Sequence, residues 1–163
     1  MKTTIAVFPG SFDPLTVGHV DIITRALEIF EHVIVAVLHN PSKTALFSTE
    51  ERLLLIREQF MDQKERVSVA SFSGLLVDFC REHKSRVIVR GLRAISDYDY
   101  ETQMALMNKS LSEEIETVFL AARERYSYVS SSLVKQVAPY GGNVSNIVPP
   151  IIDRAIKVKL KLP

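Results

Sequence analysis

One cysteine and six glycines in 163 residues are few, and each scarcity removes a class of protein. Cys80 has no partner for an internal disulfide, so the chain is not a disulfide-stapled secreted scaffold. Its neighbours Leu75, Leu76, Val77 and Phe79 place it at a half-buried helix position, as a packing residue. The glycines never fall into G-x-x-x-x-G-K-[ST] or G-x-G-x-x-G, so P-loop chemistry and ordinary dinucleotide binding both lose support. Neither sign of charge dominates: 20 basic against 19 acidic residues leave a net +1. No global field exists to hold DNA or RNA, and any basic residue that matters must act locally.

Long apolar runs are missing as well. Nothing approaches the roughly 20 residues needed to cross a bilayer, and the N-terminal Met-Lys-Thr-Thr passes into an apolar run too short for a signal peptide. The expectation is a cytoplasmic protein without a membrane partner. Linkers, repeats and low-complexity tracts are absent too, and 163 residues suit a single domain, 1–163. Hydrophobic residues at 47% and charged residues at 24% match a chain that folds on its own core.

What the sequence does have is rhythm. Five short runs rich in β-branched residues, Thr4 to Phe8, Val33 to Leu38, Val67 to Ala70, Val87 to Val89 and Thr117 to Leu120, read as buried strands. Between them lie segments of helical spacing, such as Val20, Ile23, Leu27 and Phe30, then Leu53, Ile56 and Phe60. Ser48 with Glu51 makes a capping box, Ser130 precedes the periodic run Leu133, Val134, Val137, and Pro149-Pro150 opens a C-terminal helix. Strands alternating with helices predict an α/β, Rossmann-like domain. Its five-stranded parallel sheet, ordered 3-2-1-4-5, should carry helices on both faces. Such sheets bind ligands beyond the carboxyl ends of the strands where the order reverses, between the first and fourth.

The residues at those ends are unusual. After the first strand come Gly10, Ser11 and Phe12, then Thr16-Val17-Gly18-His19 opening a helix whose free N–H groups and dipole favour an anion. Gly18 leaves open the space in which a nucleotide could lie. The second strand runs into Asn40-Pro41-Ser42-Lys43, and the fourth into Arg90-Gly91-Leu92-Arg93; a buried strand rarely ends in two arginines without an anion. Asp97 to Glu101 begins another helix, where first-turn acids complement the dipole and Glu101 could hold a ribose or order an arginine. The methionines and leucines further along it are core or subunit interface. The fifth strand leads to Tyr126-Ser127-Tyr128-Val129-Ser130-Ser131-Ser132, another run of hydroxyls and N–H groups at a helix start. His32, His39 and His83 lack such settings and are read as surface or structural.

Gly10-Ser11-Phe12-Asp13-Pro14 with Thr16-x-Gly18-His19 resembles the T/H-x-G-H signature of the nucleotidyltransferase superfamily. With Asn40 to Lys43, Arg90 to Ala94, Asp97 to Glu101 and Ser130 to Lys135 added, nearly the whole chain resembles bacterial phosphopantetheine adenylyltransferases. Ser11 stands where many members carry threonine, Phe8 where some carry tyrosine, and Tyr126 where some carry tryptophan. The resemblance implies transfer of the adenylyl group of ATP to 4′-phosphopantetheine, giving dephospho-coenzyme A and pyrophosphate without a covalent intermediate. It further implies magnesium with the ATP, coenzyme A as a feedback ligand, and a homohexamer; the sequence itself offers no evident all-protein cage for the metal. His19 would be catalytic. ATP would lie against Ser11, Phe12, His19, Gly91, Leu92, Arg93, Glu101, Tyr126, Ser127, Tyr128, Val129, Ser130, Ser131 and Ser132, and the acceptor against Ser11, Lys43, Leu76 and Arg90.

Overall fold

The computed structural model describes residues 4–39 and 45–162. The five strands appear where the apolar runs place them: β1 (Ile5–Gly10), β2 (His32–Leu38), β3 (Val67–Phe72), β4 (Val87–Leu92) and β5 (Glu116–Ala121). They form one sheet in the order β3-β2-β1-β4-β5, and every neighbouring pair is parallel. Six helices connect or follow them: α1 (Val17–Ile29), α2 (Thr49–Gln59), α3 (Leu76–Glu82), α4 (Ile95–Leu111), α5 (Ser131–Val137) and α6 (Pro150–Leu160).

Because strand side chains alternate between faces, each strand feeds two cores. Ala6, Phe8, Val33, Val35, Val37, Val67, Val69 and Val89 face one layer, which α1, α2, α5 and α6 cover with Ile23, Ile56, Val134, Ile152 and Ile156. Val7, Ile34, Ala36 and Ile88 face the other, covered by Val77, Phe79 and Cys80 of α3. Cys80 is buried, and burial pushes its thiol up to about 12, so it packs as an apolar residue. The expected caps form: Ser48 and Glu51 make a reciprocal box on α2, and Ser130 accepts from the Leu133 N–H on α5.

One feature of register positions the site. β1 pairs with β2 as far as Gly10, opposite Val37, but with β4 only at Ala6–Val87 and Val7–Ile88. Past Val7 the two central strands part, at a stretch that includes Pro9, which has no N–H for a ladder. The split is the crevice that the strand-order reversal predicts.

Candidate active site

At the end of β1, glycine is required. A Cβ on Gly10 would lie 2.9 Å from Cζ of Phe12, whose ring is buried beneath the turn. Phe12 meets Phe8 edge-on at 5.5 Å between centroids and His19 at 5.0 Å. It therefore supports the histidine from below instead of lining the cavity.

His19 is held from its own helix end. Thr16 is the N-cap of α1, and His19 takes the place that glutamate or glutamine fills in an ordinary capping box. Its Nδ1 accepts the Thr16 backbone N–H at 3.0 Å. An accepting Nδ1 carries no proton, so the neutral ring keeps its hydrogen on Nε2. Burial, aided by the Arg93 and Arg90 charges, lowers the imidazole to about 4. At neutral pH the residue is thus a fixed, uncharged hydrogen-bond donor.

The end of β4 supplies the cations. Arg90 donates Nε to Glu101 Oε2 at 2.7 Å, Nη2 to Glu101 Oε1 at 2.6 Å, and Nη1 to the Pro9 carbonyl at 2.7 Å across the parted strands. Three of its five N–H groups are spent on orientation, which leaves two for a ligand. Arg93 donates to Asp97 Oδ2 at 3.0 Å and to the Val129 carbonyl at 3.2 Å, tying the β4 loop to the serine-rich loop. Gly91 is close-packed too: a Cβ there would lie 3.1 Å from Ile22 of α1.

These loops enclose a cavity of about 400 Å³. Ser11, His19, Arg90, Gly91, Arg93, Glu101, Tyr126, Val129, Ser130, Ser131 and Ser132 all line it, as does Gly18. Phe12, Leu92, Ser127 and Tyr128, expected at the nucleotide, do not. Phe12 is buried, Leu92 is half-buried at the end of β4, and Tyr128 is turned to solvent. Leu76 opens α3 and packs on the second core, next to a separate cavity of about 610 Å³ whose wall includes Gly74 and Leu75. Lys43 lies outside the described residues.

Three charged residues that the sequence reading did not assign hold the β1 loop. Buried Asp13 accepts the Leu46 and Phe47 N–H groups at 3.0 and 2.9 Å and pairs with Lys135 of α5 at 3.1 Å. Arg52, also buried, donates to the Ser11 carbonyl at 2.6 Å. A buried carboxylate or guanidinium without such partners would be strongly destabilising. The partners are 33, 122 and 41 residues away along the chain, so no local pattern announced them.

The geometry suits an anion at the sheet's switch point. The cytidylyltransferase-like family model matches residues 7–137. Phosphopantetheine adenylyltransferase of Thermotoga neapolitana is 55% identical over 157 residues, covering 96% of this chain and 97% of the relative. The enzymes of that name from Alkaliphilus metalliredigens and Geotalea daltonii are 52% and 50% identical, at 95% and 98% of this chain and 98% of each relative. The chain belongs to the phosphopantetheine adenylyltransferase family.

Fold comparison reaches further than sequence. A bifunctional NMN adenylyltransferase/ADP ribose pyrophosphatase from Francisella tularensis superposes with a TM-score of 0.76 at 14% identity, covering 98% of this chain and 50% of that one. At that identity the likeness concerns architecture alone. As a nucleotidyltransferase of this family, the chain carries its Thr16-x-Gly18-His19 signature on the first helical turn beside the sheet's split. No helix among the described residues is long and apolar enough to cross a membrane.

Proposed function

We propose that the protein transfers the adenylyl group of ATP to 4′-phosphopantetheine, forming dephospho-coenzyme A and releasing pyrophosphate. An oxygen of the acceptor phosphate attacks the α-phosphorus in line; the bond from that phosphorus to the α–β bridging oxygen breaks, and pyrophosphate leaves with the electron pair. The acceptor is already an anion, so no general base is required, and catalysis reduces to alignment and charge stabilisation.

The observation that carries this reading is a single cavity lined by uncharged His19 together with Arg90 and Arg93. His19 donates Nε2–H to an α-phosphate oxygen as it gains charge. Arg90, with Lys43, binds the acceptor phosphate through the N–H groups that Glu101 and Pro9 leave free. Arg93 and Ser130 to Ser132 take the β- and γ-phosphates, and Ser11 touches both substrates. Magnesium would come on the nucleotide's own oxygens and water.

The proposal extends to assembly, regulation and place. Met104, Met107 and Leu111, at helical spacing along α4, are exposed in the single chain, and an apolar stripe of this kind supports self-association, for which the family resemblance implies a homohexamer. Coenzyme A, which shares its pantetheine arm and adenylyl group with the two substrates, is the feedback ligand expected of the same cavities, and the cytoplasm is the expected compartment.

Pyrophosphate release with ATP and magnesium, offered 4′-phosphopantetheine and nicotinate mononucleotide in parallel, tests the reaction. Turnover with the first alone is expected. Binding of ATP without pyrophosphate release would make the chain a nucleotide sensor, and preference for nicotinate mononucleotide would move it to the sister activity.

A further inference from the structure

The second cavity holds a polar group that the reaction scheme leaves unused. It opens at the carboxyl ends of β2 and β3, where the His39 imidazole shares the wall with the carboxylates of Glu50, Asp78 and Glu82. Asp78 is paired with Arg81 at 2.8 Å, but Glu50 and Glu82 repel a phosphate, whereas Arg90 and Arg93 in the first cavity attract one. Of an acceptor that is anionic at one end and neutral along its length, the first cavity suits the phosphate and the second suits the neutral chain.

His39 is presented by a chain of three hydrogen bonds that starts in the first cavity. Arg52 donates Nη1 to the Ser11 carbonyl at 2.6 Å and Nη2 to Thr49 Oγ1 at 3.0 Å, and Thr49 Oγ1 lies 3.0 Å from His39 Nδ1. A guanidinium has no acceptor, so the Thr49 oxygen accepts from Arg52. The hydroxyl hydrogen of this buried threonine then needs an acceptor of its own, and among the described residues His39 Nδ1 is the one within reach. With Nδ1 accepting, the ring hydrogen resides on Nε2, the nitrogen not turned to Thr49.

We propose that His39 is a specificity-determining residue for the acceptor, its Nε2–H donating to an amide carbonyl or hydroxyl oxygen of the neutral chain, with Thr49 and Arg52 as positioning residues. The inference rests on the adenylyl-transfer reading and deepens it, because it assigns recognition of the acceptor beyond its phosphate. Since Arg52 also holds the Ser11 carbonyl, one side chain ties the wall of the nucleotide cavity to the wall of the acceptor cavity.

The test is a set of steady-state KM values for 4′-phosphopantetheine and for ATP in wild type, His39→Leu, His39→Gln and Thr49→Val. His39 is exposed, so its variants should fold as the wild type does. His39→Leu is expected to raise the acceptor KM about tenfold, the scale of one lost hydrogen bond, with the change in acceptor KM and not in ATP KM. His39→Gln, whose amide N–H falls near the position of Nε2, should recover most of the loss. Thr49→Val keeps the shape, removes the hydroxyl, and should reproduce part of the loss.

An unchanged acceptor KM in His39→Leu, an equal rise for ATP, or failure of glutamine to recover would overturn the role of His39. Wild-type behaviour of Thr49→Val would overturn the positioning chain. A wild type that releases no pyrophosphate with 4′-phosphopantetheine would sink the functional reading and this inference together; a wild type that turns over while His39→Leu matches it would remove only the latter.

Discussion

Both carboxylate oxygens of Glu101 are taken by Arg90, at 2.6 and 2.7 Å, in a fork that fixes the guanidinium across the split between β1 and β4. Of the two roles the sequence allowed Glu101, ordering an arginine therefore has direct geometric support. The fork uses two of the carboxylate's roughly four acceptor sites, so the remaining ones can still accept a ribose hydroxyl.

Glu101→Gln should accordingly act through Arg90. The amide keeps one acceptor and loses the charge, and hydrogen bonds to charged groups contribute roughly 1.5–3 kcal/mol. We expect kcat/KM for the acceptor to fall at least about tenfold, with ATP affinity less affected. Separate determination of KM for each substrate checks this; a loss confined to ATP would return Glu101 to the nucleotide.

His19→Ala removes the donor aimed at the α-phosphate. Loss of one such transition-state contact is worth about 3 kcal/mol, so kcat should drop at least ~10²-fold. The same change also removes half of the α1 capping box, and a decrease in stability of about 1 kcal/mol should accompany it. Rates measured on protein shown to be folded by circular dichroism separate the two effects. Wild-type turnover would exclude the role.

Acid should not reach His19 until well below neutrality. Desolvated at the cavity wall beside Arg93 and Arg90, the half-buried imidazole titrates at about 4, whereas an unfolded histidine titrates near 6.5. Between those values the unfolded chain binds a proton that the native site refuses. Stability from this residue is therefore complete above pH 6.5 and declines as pH falls toward 4. Imidazole resonances in NMR should show His19 unprotonated at pH 5.5 in the free protein; a midpoint near 6.5 would contradict the burial argument.

How much of this could be read from residues alone divides along the range of the interactions. Strands and the caps at Ser48 and Ser130 follow from patterns spanning two to four residues, the sheet order follows from the topology of alternating strands and helices, and all appear in place. The convergence of His19, Arg90 and Arg93 was legible because each ends or follows a strand, and parallel topology sends all such ends to one edge. Arg52 and Asp13 were not legible: in sequence they are an ordinary helix arginine and a turn aspartate, and only tertiary neighbours reveal them as buried. Asp97 was read as a dipole-complementing acid, an explanation sufficient in itself, yet it also grips Arg93. Leu92 and Tyr128 were expected at the nucleotide from the family resemblance of the runs they belong to, but adjacent residues on a strand or in a loop point different ways.

The Asp13–Lys135 pair joins the β1 loop to α5, and Asp13 at the same time accepts two backbone N–H groups from residues 46 and 47. Lys135→Met removes the ammonium while leaving Asp13 its two N–H donors. Asp13 is buried but the Lys135 side chain is 37% exposed, so solvent screens the pair, and leaving the carboxylate less well compensated should cost about 1 kcal/mol. Thermal unfolding checks it, and an unchanged Tm would mean that the backbone donors suffice.

Gly10 and Gly18 line the same cavity but should answer alanine in opposite ways. At Gly10 the new methyl would meet the packed Phe12 ring at 2.9 Å, closer than real contacts permit, and the ring is itself wedged against Phe8 and His19. Overpacking of this kind destabilises by about 1–3 kcal/mol and would tilt His19 as well. At Gly18 the nearest protein atom to a Cβ is Thr16 Oγ1 at 3.6 Å, an ordinary contact. Alanine also favours the helix by up to about 1 kcal/mol over glycine. Gly18→Ala should therefore match or exceed the wild-type Tm and yet bind ATP more weakly, because the methyl intrudes on the space left for the nucleotide. Thermal melts paired with ATP titrations decide it: equal ATP affinity in Gly18→Ala would place the nucleotide elsewhere in the cavity.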